Sequence, residues 1–170
     1  MKKLISLFAL LTLMASYSQA HAFTDGQVSE VLKTRNSGEI VFARHVISNG
    51  SSAEVRKFAQ EMLDDHTLNN EKINEILKAA SLKPETSSKI AEVRSDLMVS
   101  QKKLFPLKGK ELDIAYLDEQ IRTHGGIVEG IKANLVPAAK NPALKIHLDV
   151  SARVNEMHLE QAKALRATLK

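Results

Sequence analysis

Apolar residues return every three or four positions through five stretches of this chain, the repeat of an α-helix with one buried face. The first stretch, helix A, places Val28, Leu32, Arg35, Glu39, Phe42 and Val46 on one stripe. It opens at Thr24-Asp25-Gly26-Gln27, which has the form of a capping box, and closes at the stop signal Ser48-Asn49-Gly50. Helix B opens on a second capping box, Ser51-Ser52-Ala53-Glu54, and stops before Pro84; its stripe is Val55, Ala59, Met62, His66, Asn69, Ile73, Ile76 and Ala80. A shorter helix from Glu85 to Leu104 keeps Ile90, Val93, Leu97, Gln101 and Leu104 in phase, and Phe105-Pro106-Leu107-Lys108-Gly109 breaks it. Helix C spans Lys110 to Val136, with Ile114, Leu117, Ile121, His124, Val128, Ile131 and Leu135 on its stripe, and Pro137 ends it. Asn141-Pro142 supplies an N-cap and a proline at the first helical position. It opens helix D, whose stripe is Leu144, Leu148, Ser151, Asn155, His158, Ala162, Leu165 and Leu169.

The short A–B turn makes those helices an antiparallel hairpin, and C–D reads the same way. Between B and C lie roughly 25–30 residues carrying a helix of their own, more than an up-down bundle needs and what a crossover bundle requires. The expected fold is therefore all-α: a ferritin-like four-helix bundle with an extra helix in the B-to-C crossover, forming one domain over residues 23–170.

Four stripes carry a polar residue at matching depth. Glu39, His66 and His124 lie about 14 residues into their helices and His158 about 16, which at 1.5 Å per residue is about 21–24 Å from each helix start. Mid-helix positions of an antiparallel bundle meet at one level. A buried polar layer of Glu39, His66, His124 and His158 is expected, with Asn155 and Tyr116 as supporting polar groups. Three imidazoles and a carboxylate suit a single transition metal ion such as zinc, iron or copper. They also suit a closed hydrogen-bond network, because a carboxylate accepts while a histidine both donates and accepts. The structural network is the first reading and the metal site the alternative. No residue is assigned a catalytic or cofactor-binding role.

Smaller features join this layer. Gly38, beside Glu39, and Gly125, Gly126 and Gly130, after His124, read as close helix crossings, with room beside the histidine as the alternative. Met62 and Met157 read as core filler, with copper ligation the alternative. His45 and His147 fall off the central stripes and are expected in solvent. Asp64 and Asp65 read as a solvated face or as partners for His66.

Lys2 and Lys3 precede an apolar run, Leu4 to Met14, too short to span a bilayer, and Ala20-His21-Ala22 offers a cleavage site. Residues 1–22 are read as a secretory signal peptide cut after Ala22, with Ser18-Gln19-Ala20 as an alternative site. Without that segment 22 Lys and Arg stand against 20 Asp and Glu, and the net charge falls from +4 to +2. That balance, with no clustered basic helix, argues against a nucleic-acid partner. The remaining chain holds no apolar run long enough to cross a membrane. There is no cysteine, hence no disulfide and no lipid attachment through one. A phosphate-cradling glycine loop, a Ser/His/Asp set and Cys/His zinc spacing are all missing.

Phe58-Ala59-x2-Met62-x3-His66, then Leu112-Asp113-x2-Tyr116-x7-His124, then His158-Leu159-x2-Ala162 resemble the signature of a ferritin-like domain-of-unknown-function family. Its members are exported bacterial proteins, often labelled outer membrane proteins. The resemblance runs from about Thr24 to Leu165. It implies a four-helix ferritin-like fold and a periplasmic or extracellular location, and it implies no activity. Di-iron ferritins carry Glu-x2-His on two helices. Here the matching positions are Leu63-x2-His66 and Asn155-x2-His158, so a ferroxidase centre is not expected. The function expected is an exported helical bundle, non-enzymatic, with a stress or envelope role. The alternative is a transition-metal-binding protein or metal-dependent oxidoreductase using the histidine layer.

Overall fold

The structure is a computed structural model that describes residues 23–169, so the expected signal segment and its cleavage site lie outside the described residues. Helix α1 runs Asp25–Asn49, α2 Ala53–Ala79, α3 Ser88–Leu104 and α4 Gly109–Gly130. A π-helical turn, Ile131–Leu135, and a short α5, Val136–Ala138, continue α4, and α6 spans Pro142–Thr168. No strand occurs among the described residues. The four long helices α1, α2, α4 and α6 are helices A to D, and α3 is the crossover.

Start signals decide these boundaries. Thr24 accepts from the Gln27 amide while the Gln27 side chain answers to Thr24, a complete capping box. At α2 the cap shifts by one residue from the expected Ser51. Ser52 accepts from Val55 N, because Ser51 is held by Asp113 of α4 instead. Asn141 caps α6 through Leu144 N, with Pro142 following it. Gly109 has φ +60°, the left-handed region that glycine enters without strain, and lets the chain reverse from α3 into α4. Pro137 does not end helix C. The ring of a proline crowds the carbonyl four residues back. The chain widens into a π turn, Val136 N–H reaching Ile131 O, and passes through Pro137 to Ala138.

The core consists of two apolar clusters at opposite ends of the bundle. One gathers Val28 and Leu32 from the start of α1, Ile73 and Leu77 from the end of α2, Ile90 and Val93 from α3, and Leu144 and Leu148 from the start of α6. The other gathers Phe42 and Val46, Val55 and Phe58, Leu104, Leu112 and Tyr116, and Ala162. The beginnings of α2 and α4 therefore share one end, and those of α1, α3 and α6 the other. Helix α4 runs parallel to α2, and α3 carries the chain back along the bundle. This is the crossover arrangement expected of a ferritin-like bundle.

Two carboxylates tie the ends. Asp113 accepts from Ser51 N, Ser52 N and the Ser51 hydroxyl in the α1–α2 turn. Asp25 accepts from Lys140 N and Asn141 N ahead of α6. Helix α3 is pinned by polar contacts. Arg35 donates to Asp96 at 2.7 Å, Ser100 donates to Glu119 at 2.6 Å, and Arg122 bonds both acids.

The stripes of α3 and α4 are rotated from those expected. Ser100 is buried and Gln101 exposed, while Ile114, Ile121 and Val128 are only half-buried. Leu112, Tyr116, Gln120 and Thr123 take the interior instead, because α4 faces α3 as well as the bundle axis. The glycines divide. A Cβ on Gly38 would lie 2.2 Å from Leu97 Cδ2, so α3 crosses α1 closely there. A Cβ on Gly125, Gly126 or Gly130 would meet nothing within 4 Å, so these are not close crossings. Gly126 and Gly130 line a groove of about 690 Å³ between α1, α3 and the π turn.

Candidate metal centre

Between the two apolar clusters sits a polar layer. Asn36 and Glu39 enter it from α1, His66 from α2, Gln120 and His124 from α4, and His158 from α6; all are buried. Each histidine replaces an apolar residue in its helix's inward stripe, so its helix presents it to the axis without local distortion.

The structure brings His66, His124 and His158 together. Their ring centroids are 5.5–5.8 Å apart, and one ligating nitrogen from each lies within 4.8 Å of the other two. Each ring has one nitrogen anchored. His66 Nδ1 donates to Asn36 Oδ1 at 3.0 Å, and the amide of Asn36 is oriented because its Nδ2 donates to Asn70 Oδ1. His124 Nδ1 donates to the Gln120 carbonyl at 3.2 Å, one turn back on its own helix. His158 Nε2 donates to Asp65 Oδ2 at 2.9 Å. The partners are an amide oxygen, a backbone carbonyl and a carboxylate, which only accept, so they set all three tautomers.

The remaining nitrogens, His66 Nε2, His124 Nε2 and His158 Nδ1, are buried and have no hydrogen-bond partner among the described residues. Burial, and then the neighbouring rings, pushes the His66 imidazole well below its ordinary pKa. The same causes, burial first and His158 second, push His124 down to about 3. Those two rings are neutral at physiological pH and carry bare lone pairs.

Glu39 does not join this group. Its Oε2 accepts from Gln120 Nε2 at 2.9 Å, while Oε1 is buried without a partner. Burial, opposed by that hydrogen bond, raises its carboxyl to about 7. Tyr116 packs near Phe58, and its buried hydroxyl finds no partner. Burial, then the nearby Glu39 charge, holds its pKa well above the usual value. Asn155 turns back to donate to the Ser151 carbonyl at 2.7 Å, leaving Oδ1 unpaired. Met62 is fully buried and Met157 is exposed. His147 and His45 are half-buried rather than in open solvent. His147 contacts Asn69, and His45 stacks on Phe105 at 4.6 Å.

Asn36 and Gln120 escaped the sequence reading, and Asp65 partners His158 rather than His66. Two of these carried a signal. Asn36 lies one turn from Leu32 on the buried face, and Gln120 lies four residues before His124, where a helix carbonyl meets a ring.

Fold and site together define an all-helical crossover bundle of ferritin-like type with a buried three-histidine cluster. The chain matches the domain-of-unknown-function family DUF4142 over residues 11–165 and belongs to that family. Its fold is similar to the crystal structure of a presumed secreted DUF305 protein from Streptomyces coelicolor. The TM-score is 0.71 at 18% identity, covering 84% of this chain and 91% of that one. At that identity the likeness concerns the fold alone. No protein of curated function matches the chain. No helix among the described residues is long and apolar enough to cross a membrane.

Proposed function

We propose that this protein is an exported bundle that binds one transition metal ion through His66 Nε2, His124 Nε2 and His158 Nδ1. The observation carrying this reading is the distribution of hydrogen bonds. A structural network should pair donors with acceptors. Here three rings converge with one nitrogen of each within 4.8 Å of the others, and in every ring one nitrogen is anchored while the other is buried and meets no donor among the described residues. Anchoring of the far nitrogen by an amide, a carbonyl or a carboxylate is how metal-bound histidines are held and made more basic. An ion with bonds of about 2.0–2.1 Å keeps tetrahedral ligands about 3.4 Å apart. The ligating nitrogens, now within 4.8 Å of one another, would converge by up to about 1.4 Å to reach that spacing. Neutral imidazoles suit zinc, copper and iron, and with no thiolate in the chain the donor set is nitrogen only. An export role is supported by the basic and apolar pattern of residues 1–22. Mass spectrometry of exported protein is expected to find Phe23 at the N-terminus, and a retained full-length chain would contradict it.

The test uses tag-free apo protein titrated with zinc, copper and iron(II) by calorimetry, with melting followed in parallel. One ion per chain is expected, adding about 2.7 kcal/mol of stability at a hundredfold excess over the dissociation constant. His124→Leu should abolish that gain while leaving the apo protein as stable or slightly more so, since it removes an unpaired buried nitrogen. A wild type that answers to none of the three ions would remove the reading. So would a His124→Leu apo protein destabilised by several kcal/mol, the mark of a structural network.

A further inference from the structure

We propose that the metal ion reaches the triad through the seam between α2 and α6, and that Asp65 is the group that admits it. This rests on the metal-binding reading above. Of the three groups that anchor the rings, two are sealed in the core: the Asn36 side chain and the Gln120 carbonyl. Only Asp65 meets solvent. Its side chain is 45% exposed, while the His158 side chain behind it is 2% exposed. The hydrogen bond between them joins a solvent-facing carboxylate directly to a ring of the triad.

The charges on this seam favour a cation. Glu61 lies one turn before Asp65 on the same face of α2, partly exposed, 3.5 Å from Gln161 of α6 and 3.8 Å from the solvent-facing Lys57. Two carboxylates thus flank the seam just outside His158. The opposite approach, the groove beside α3, balances Arg35, Lys89 and Arg122 against Glu92, Asp96 and Glu129, with both arginines paired to Asp96, and reaches α4 at Thr123, whose neighbour His124 lies with His66 and His158 instead. A hydrated divalent cation is attracted first by the exposed Asp65 carboxylate. At the seam it exchanges water for Asp65, and then Asp65 for imidazole nitrogen as the His158 ring swings.

Stopped-flow mixing of apo protein with zinc, read by a chromogenic zinc indicator, tests the route, with dissociation measured by chelator chase. Asp65→Asn keeps an oxygen for His158 Nε2 and removes the charge. Zinc uptake should slow about tenfold at low salt, and the difference should shrink as salt rises. Gln161→Trp lays bulk across the seam without touching a ring. Uptake and release should slow together, leaving the dissociation constant within about threefold, because one passage serves both directions. Glu129→Gln, at the groove, should leave both rates unchanged. Asp65→Asn taking up zinc at the wild-type rate but losing it faster would reduce Asp65 to a positioning residue and overturn the route. A wild type that binds no zinc at equilibrium fails earlier, in calorimetry, and takes the metal reading with it.

Discussion

A buried imidazole holds a metal only as a neutral ring with one bare nitrogen, and this interior favours that form at a cost in acid. His66 and His124 bind a proton in the unfolded chain near pH 6.5 but resist it when folded. Below pH 6.5 the unfolded state therefore holds more protons, and stability falls as pH drops, by about 1.4 kcal/mol per unit per group, down to about 3 for His124. Glu39 works in the opposite sense. Its folded carboxyl sits at about 7 against 4.5 unfolded, so its contribution is intact below 4.5 and lost as pH rises through 7. Glu39→Gln keeps the shape and removes that loss. Denaturant unfolding should show the variant more stable than wild type at pH 8, by up to about 3 kcal/mol, and no more stable at pH 4. Equal effects at both pH values would show that Glu39 is not a desolvated carboxyl. The histidines were legible because each interrupts an apolar stripe at matching depth. The separation of Glu39 from them was not, since depth along a helix does not say toward which neighbour a side chain turns.

Among the helices, packing against α3 decides what the sequence left open. Gly38 lets Leu97 approach α1, whereas Gly126 faces the groove. Gly38→Ala should destabilise by about 1–3 kcal/mol through overpacking. Gly126→Ala should stabilise by up to about 1 kcal/mol through helix propensity alone. Thermal melts of the two variants shifting in the same direction would contradict this division. Both glycines look alike in the sequence, because periodicity records spacing and not what lies opposite. The same blindness explains the stripes of α3 and α4. Helix α4 contacts α3 as well as the axis, and polar Ser100 and Glu119 are buried against each other there. Glu61 and Glu119, each five residues before a histidine of the layer, diverge for the same reason. Glu119 is held by Ser100, Lys103 and Arg122, while Glu61 stays at the α2–α6 seam.

The crossover bundle itself could be read from connection lengths and caps, and its parallel α2 and α4 confirm that reading. What holds those ends in register was not readable, because Asp113 acts across 61–62 residues of sequence. Asp113→Ala strips the α1–α2 turn of a charged acceptor for two amides and a hydroxyl. Chemical denaturation should record a loss of about 3 kcal/mol with the helical content of the folded state unchanged, and a loss below about 0.5 kcal/mol would mean that the turn is held by its own caps. This scaffold delivers three imidazoles from three helices to one level with only their far nitrogens tied, and that is the central claim. X-ray absorption at the zinc edge of metal-loaded protein tests it most directly. The spectrum should show three imidazole nitrogens at about 2.0–2.1 Å, a shell that His124→Leu should fail to hold. A zinc shell of oxygen atoms alone, or one unchanged in that variant, would contradict it.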